Sequence, residues 1–180
     1  MNIKHAMLGF LSWQPFSGYE LKKIFASSIA FYWSGNNNQI YRTLVEMHRD
    51  GLVDVEVRQR ENYPAKKVYA ITDTGRSELR KWILSDPELP QLRNSFLIQL
   101  AWADGLEAPE LDTLLAKYEQ EVGVQLMMYR EQERRKLINP SRTAREAFLW
   151  KMISANWERY YENEIEWVRS LRLGLAEIPA

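Results

Sequence analysis

Pro87 and Pro90, in the run Ser85-Asp86-Pro87-Glu88-Leu89-Pro90, constrain this chain most. Proline lacks an amide donor and its ring clashes with the preceding turn, so no continuous helix runs through this segment. It reads as a linker over 84–91, with one part at 1–83 and another at 92–180. The formal charge is zero over 180 residues, and it divides at the same place. Residues 1–83 hold 12 Lys and Arg against 8 Asp and Glu, a balance of +4, and the remainder is −4. Apolar residues at 46% and charged residues at 27% are a globular composition. With no cysteine, disulfides, iron–sulfur clusters and thiolate chemistry are excluded. The apolar run Ala6–Leu11 is far short of the ~20 residues of a membrane span, and no signal-peptide pattern is visible. A cytoplasmic protein with no membrane partner is expected.

In the first part, Ile3, Ala6, Met7, Phe10 and Leu11 fall on one helical face, and Pro15 ends that helix. Ser17-Gly18-Tyr19-Glu20 is a capping box for a second helix, with Leu21, Ile24, Phe25 and Ile29 inward. A third helix begins near Asn36. Its buried stripe is Ile40, Leu44 and Met47, and its other face carries Asn38, Gln39, Arg42 and Arg49. Gly51 stops it. Val53, Val55 and Val57 alternate with Asp54, Glu56 and Arg58, the period of a half-buried strand. A second strand is expected at 68–71, after a polar loop from Gln59 to Lys67 that brings Arg58, Arg60, Lys66 and Lys67 together. Thr72 caps a fourth helix with Leu79, Trp82 and Ile83 on one side.

Three helices followed by a two-stranded hairpin is the layout of a winged helix-turn-helix. The chemistry fits double-stranded DNA: Asn and Gln pair bidentately with adenine, Arg with guanine, and wing cations neutralise phosphates. Each feature has a plainer reading. Asn36-Asn37-Asn38 also suits a helix start, a basic loop also suits solvent, and Arg49 also complements the helix dipole. Their coincidence on one surface favours nucleic acid.

These residues resemble the PadR family of bacterial transcriptional regulators. The matching stretches are His5-Ala6-Met7-Leu8-Gly9-Phe10-Leu11, Ser17-Gly18-Tyr19-Glu20-Leu21, Gln39-Ile40-Tyr41-Arg42-Thr43-Leu44, Asp50-Gly51-Leu52-Val53 and Lys67-Val68-Tyr69-Ala70-Ile71-Thr72-Asp73-Thr74-Gly75-Arg76. More loosely, Arg93-Asn94-Ser95-Phe96-Leu97 and Trp157–Leu171 are similar to the long helical carboxy-terminal domain of some members. The resemblance implies a homodimer, usually a repressor, and the two-fold symmetry of such a dimer predicts an inverted-repeat operator. Many members release DNA when a small aromatic molecule such as a phenolic acid binds. It implies DNA contact by Ser17, Gly18 and Tyr19, by Asn37, Asn38, Gln39, Tyr41 and Arg42, and by the wing bases Arg60, Lys66 and Lys67. The wing tip reads Glu61-Asn62-Tyr63-Pro64-Ala65 where many relatives are glycine-rich.

In the second part, Leu92–Ala103 reads as an apolar helix with Phe96, Leu97, Leu100 and Ala101. Pro109 opens a long helix with Leu111, Leu115, Tyr118, Val122, Gln125 and Tyr129 stepping by four and three. Asn139-Pro140-Ser141 breaks it. The last helix carries Trp150, Ile153, Trp157, Tyr160, Glu164, Trp167 and Leu171 at the same steps, beside a second apolar edge of Ile165 and Val168. Two heptad stripes imply an antiparallel pair that also packs on a partner. Trp157, Tyr160, Trp167 and Leu171 are the expected dimerisation residues, and a two-fold dimer would set its recognition helices ~34 Å apart. Glu164 falls on this stripe as a buried acid or a rim residue. Trp102, Tyr129, Trp150 and Trp157 are core aromatics or the lining of a site for a flat effector. Arg130, Arg134 and Arg145 are solvated charges or partners for its carboxylate.

The expected architecture is mainly α with a small β-hairpin: a winged-helix DNA-binding domain at 1–83, a linker at 84–91 and a helical dimerisation and effector domain at 92–180. No phosphate loop, dinucleotide fingerprint or nucleophile elbow is present, and His5 and His48 lack partners at metal-ligand spacing. Neither catalysis, a metal nor a cofactor is expected. The rival reading is a winged-helix protein-interaction module that does not bind DNA.

Overall fold

Ile3, Met7, Leu8, Phe10 and Leu11 are all buried on the first helix, α1 (Ile3–Leu11), which gives the amino-terminal unit its central support. The computed structural model describes residues 3–27, 37–60, 63–89, 94–135 and 141–178. The side chains of residues 27, 37, 60, 63 and 64 are outside that description. The chain divides into two compact units, Met1–Glu88 and Leu89–Ala180.

In the first unit α1 is followed by β1 (Phe16–Ser17), α2 (Gly18–Ser27), α3 (Asn37–Arg49), β2 (Val53–Arg60), β3 (Tyr63–Ile71) and α4 (Asp73–Ile83). Leu21 and Phe25 on α2, and Ile40, Leu44 and Met47 on α3, are buried as their spacing predicts. Ile29 and the expected second-helix end lie outside the described residues. The α3 terminus is a Schellman motif: the Leu52 amide donates to the Met47 carbonyl at 2.9 Å and the Gly51 amide to His48 at 3.1 Å. Gly51 has φ +69°, a conformation costly for a residue with a Cβ. The Thr72 hydroxyl accepts from the Gly75 amide at 3.0 Å and donates to the Gly51 carbonyl at 2.7 Å. One side chain thus caps α4 and fixes the α3–β2 corner.

Two expectations are corrected here. The sheet has three antiparallel strands in the order β1-β3-β2, with Ser17 opposite Val68 and Phe16 opposite Tyr69. A two-residue strand carries no periodic signal. The loop expected at 59–67 is mostly strand, since Arg58 pairs with Lys66 and Arg60 with Tyr63. Alternation fades there because Val57 is exposed, so neither face must be apolar, whereas the backbone ladder is indifferent to side-chain polarity. On α4, Leu79 is half-buried, while Trp82 and Ile83 are exposed.

The second unit holds α5 (Ser95–Ala101), a 3-10 turn at Ala103–Gly105, α6 (Ala108–Arg135) and α7 (Ala144–Ala176). The Asn94 side chain accepts from the Phe96 amide at 3.0 Å and starts α5. Leu92, Asn139 and Pro140 lie outside the described residues. α6 buries Leu115, Val122, Leu126 and Tyr129, close to the expected stripe. On α7 the expectation is corrected. The buried residues are Tyr161 and Val168, whereas Ile153, Tyr160 and Trp167 are exposed and Trp150, Trp157, Glu164 and Leu171 are half-buried. Tyr161 and Val168, the latter on what reads as a second edge, form the buried seam with α6, and Glu164 and Leu171 of the first stripe also reach it, through the Tyr118 hydroxyl and the Phe96–Leu115–Val168 cluster. Both stripes are apolar at a seven-residue repeat, and periodicity does not say which one packs deeper against α6. Phe96 stacks on Tyr118 with centroids 3.6 Å apart and planes 4° from parallel. Arg169 and Arg172 on α7 bond Glu119 on α6 at 2.6 and 3.0 Å, closing the seam from outside.

Candidate nucleic-acid interface

The inner stripe of α3, together with Thr43, is packed away and leaves an exposed outer face. Asn38, Gln39, Tyr41 and Arg42 are all exposed. The Arg42 Nε lies 3.5 Å from Glu46 across one helical turn, with most of the arginine side chain in solvent. Such a pair is weak and gives way to a stronger acceptor. Arg49 bonds Asp50 at 3.2 Å at the helix end. Asn37 lies in α3, its side chain outside the described residues.

The start of α2 abuts this face. A Cβ on Gly18 would stand 2.5 Å from Tyr41 Cε1 and 3.3 Å from Leu44 Cδ1, so a larger residue here would push the Tyr41 ring aside. The capping box forms as the sequence predicts: the Ser17 amide and hydroxyl donate to Glu20 Oε2 at 2.8 and 2.7 Å, and the Glu20 amide donates to the Ser17 hydroxyl at 3.3 Å. Tyr19 is exposed, with the Lys23 ammonium 5.1 Å from its ring centroid.

The hairpin cations divide. Lys66 donates to Glu20 Oε1 at 2.8 Å. Arg58 bonds Glu56 at 2.9 and 3.0 Å. Lys67 is exposed and has no ion pair among the described residues. The Arg60 side chain lies outside them. Burial pushes the Glu20 carboxyl up, but the bonds from Lys66 and Ser17 outweigh it and hold the group down at about 2. The link from Glu20 to Lys66 spans 46 residues and has no sequence signal; the capping box marks only its nearer end.

Trp82 and His5 stack with centroids 4.7 Å apart, another contact that sequence spacing does not show. Burial lowers the His5 pKa against the opposing bond from Glu78. His48 Nδ1 lies 3.0 Å from the Val53 carbonyl oxygen, a structural position.

In the helical unit the expected effector residues are dispersed by exposure. Trp102 is 83% exposed, Trp150 and Trp157 are half-buried, and Tyr129 is 2% exposed with its hydroxyl on the Ser154 carbonyl at 3.1 Å. Arg130 bonds Glu158 and Glu162 at 2.6 and 2.5 Å, and Arg134 bonds Glu131, so both serve the helices. Arg145 is exposed. Among the dimerisation residues, Tyr160 and Trp167 are exposed, and Trp157 packs edge-on against Tyr160 at 6.1 Å. Among the described residues no cluster of three metal-ligating side chains is found, and no helix is long and apolar enough to cross a membrane.

Comparison with known proteins adds to this geometry. Residues 7–81 match the "Transcriptional regulator PadR-like family" and residues 92–174 match "Virulence activator alpha C-term". A "Probable transcriptional regulator" of Mycobacterium tuberculosis is 32% identical over 98% of this chain and 99% of its own. The "Negative transcriptional regulator PadR" of Bacillus subtilis is 26% identical over 62% of each chain. Among solved structures, Bacillus subtilis PadR in complex with operator DNA superposes with a TM-score of 0.83 at 20% identity, covering 95% of this chain and 97% of that one. The same protein with p-coumaric acid gives 0.80 at 22% identity, covering 97% and 99%. The virulence activator AphA of Vibrio cholerae gives 0.71 at 26% identity, covering 97% and 98%. The chain belongs to the PadR-like family of transcriptional regulators, with a carboxy-terminal region of the virulence activator alpha type.

Proposed function

We propose that this regulator is a homodimeric repressor that binds an inverted-repeat DNA operator and leaves it when a small aromatic effector, of the phenolic class, binds the helical unit. The observation that carries the DNA reading is the outer face of α3, where Asn38, Gln39, Tyr41 and Arg42 stand exposed over a fully buried inner stripe. Asn38, Gln39 and Arg42 offer bidentate donors and acceptors to base edges in a major groove, and Tyr41 a single hydroxyl. Ser17 and Tyr19 at the start of α2, Asn37, and the hairpin residues Arg60, Lys66 and Lys67 complete the proposed interface. Residues 1–83 form its DNA-binding domain, 84–91 the linker and 92–180 the dimerisation and effector domain.

The dimer reading is supported by the apolar ridge on α7, where Ile153, Tyr160 and Trp167 remain exposed beside half-buried Trp157 and Leu171. A second copy covers such a ridge most simply, and two-fold symmetry matches an inverted repeat. The effector reading is supported by the p-coumaric acid complex of Bacillus subtilis PadR. Repression is supported by the name of that relative, a negative regulator.

The test is an electrophoretic mobility assay on DNA upstream of the protein's own coding region, at two salt concentrations. Specific binding that weakens steeply as salt rises is expected. Failure there, and in selection from random sequence, overturns the reading and favours a protein-interaction role.

A further inference from the structure

Four observations converge on Lys66. Its ammonium donates to Glu20 Oε1 at 2.8 Å, and its side chain is only 26% exposed. Glu20 is itself fixed, because its other carboxylate oxygen takes the Ser17 amide and hydroxyl at 2.8 and 2.7 Å. The adjoining backbone link, β1 to β3, consists of only two residue pairs, Phe16 with Tyr69 and Ser17 with Val68. Lys66 lies two residues from Val68 on β3, so the ion pair extends that short link by a further step. Cross-strand from Lys66, Arg58 is committed to Glu56, whereas Lys67 is exposed with no ion pair among the described residues.

We propose that Lys66 is a positioning residue: its bond to Glu20 ties β3 of the hairpin to the first turn of α2, and Lys66 contributes no phosphate contact. The inference rests on the DNA-binding reading and revises one residue of it. A wing that swings freely must be ordered at the moment of binding, whereas one tied to α2 is already aligned with the helix pair. The cost of ordering is then met in folding. Lys67 supplies the phosphate contact from the neighbouring position of the same strand. The carboxylate, held at about 2, stays charged throughout the neutral range.

Lys66→Met, Glu20→Gln and the double variant test this, with Lys67→Met for comparison. Operator affinity is measured over a range of salt concentrations on the upstream fragment or a selected inverted repeat. Amide hydrogen exchange at Phe16, Ser17, Val68 and Tyr69 is followed in the free protein. The proposal expects each single variant to weaken specific binding several-fold, the double to be no worse than either, and the salt slope to stay at the wild-type value. Lys67→Met should lower that slope by about one unit. In the free protein, exchange at the β1–β3 link should quicken in both single variants. A slope reduced by about one unit in Lys66→Met, tighter binding by Glu20→Gln, or unchanged exchange overturns the proposal. Wild-type protein that binds no DNA counts against the function proposed above, and the exchange measurement then decides the tie alone.

Discussion

The carbonyl of Leu52 lies against Gly75 so closely that a Cβ there would collide with the carbonyl oxygen, and would stand 2.8 Å from Ile71 Cγ1. Helix α4 docks on the start of the hairpin through this bare backbone contact. The Thr72 amide donates to the same Leu52 carbonyl at 3.1 Å, so the approach is held on both sides. Alanine ordinarily favours a helix over glycine. Here Gly75→Ala should reverse that sign and cost about 1–3 kcal/mol, read as a lower thermal midpoint.

Arg42→Ala should leave the thermal midpoint unchanged, because its pair with Glu46 is exposed. If Arg42 reads a base, operator affinity should fall by roughly 1–3 kcal/mol and discrimination should relax at one base pair. Competition binding with operators substituted one position at a time checks this.

The Tyr118 hydroxyl donates to Glu164 at 2.5 Å; burial first, and this carboxylate second, push its pKa up to about 12. The folded state therefore favours the protonated phenol. Its contribution to stability should be fully present below pH 10 and be lost as pH rises through about 12. Tyr118→Phe should lack that alkaline component. Unfolding at stepped pH, with phenolate absorbance to follow ionisation, compares the two.

Glu20 has the opposite sign. Its carboxyl, at about 2 when folded, lies below the ordinary 4.5, so its contribution is present above 4.5 and lost as pH falls toward 2. The stability difference between wild type and Glu20→Gln should shrink over that interval, measured by acid-range denaturant melts.

Leu115 is 1% exposed beside Phe96 and Val168 in the helical core, whereas Tyr160 faces outward. Leu115→Ala should cost about 2–5 kcal/mol. Tyr160→Glu combined with Ile153→Glu should leave the helices folded and halve the mass in light scattering. Helices that melt in the second variant would place Tyr160 in the fold and not at the dimer contact.

Where local chemistry decides, the sequence by itself determined the element. Ser17 and Glu20 cap α2 because three residues suffice to bring hydroxyl, carboxylate and amides together. Ile40, Leu44 and Met47 mark the inner side of α3 because a helix fixes that direction within one turn. Gly51 ends α3 because a glycine accepts φ +69° without strain. The pair Pro87 and Pro90 and the split of charge were likewise visible without coordinates.

Tertiary structure alone decided the rest, wherever two equal local choices had to be resolved by a distant partner. Trp167 and Val168 lie on adjacent apolar stripes of one helix, and only packing against α5 and α6 chose Val168 for full burial and left Trp167 36% exposed at the edge of Phe96. Phe16 and Ser17 became a strand because β3 offered unpaired backbone groups, and such an edge is set by the partner and not by two side chains. Lys66 looked like any wing cation until a carboxylate 46 residues earlier in the chain came within 2.8 Å. Periodicity and capping act over one or two turns of chain, whereas the choice of face, edge and ion partner depends on surfaces that meet only after folding.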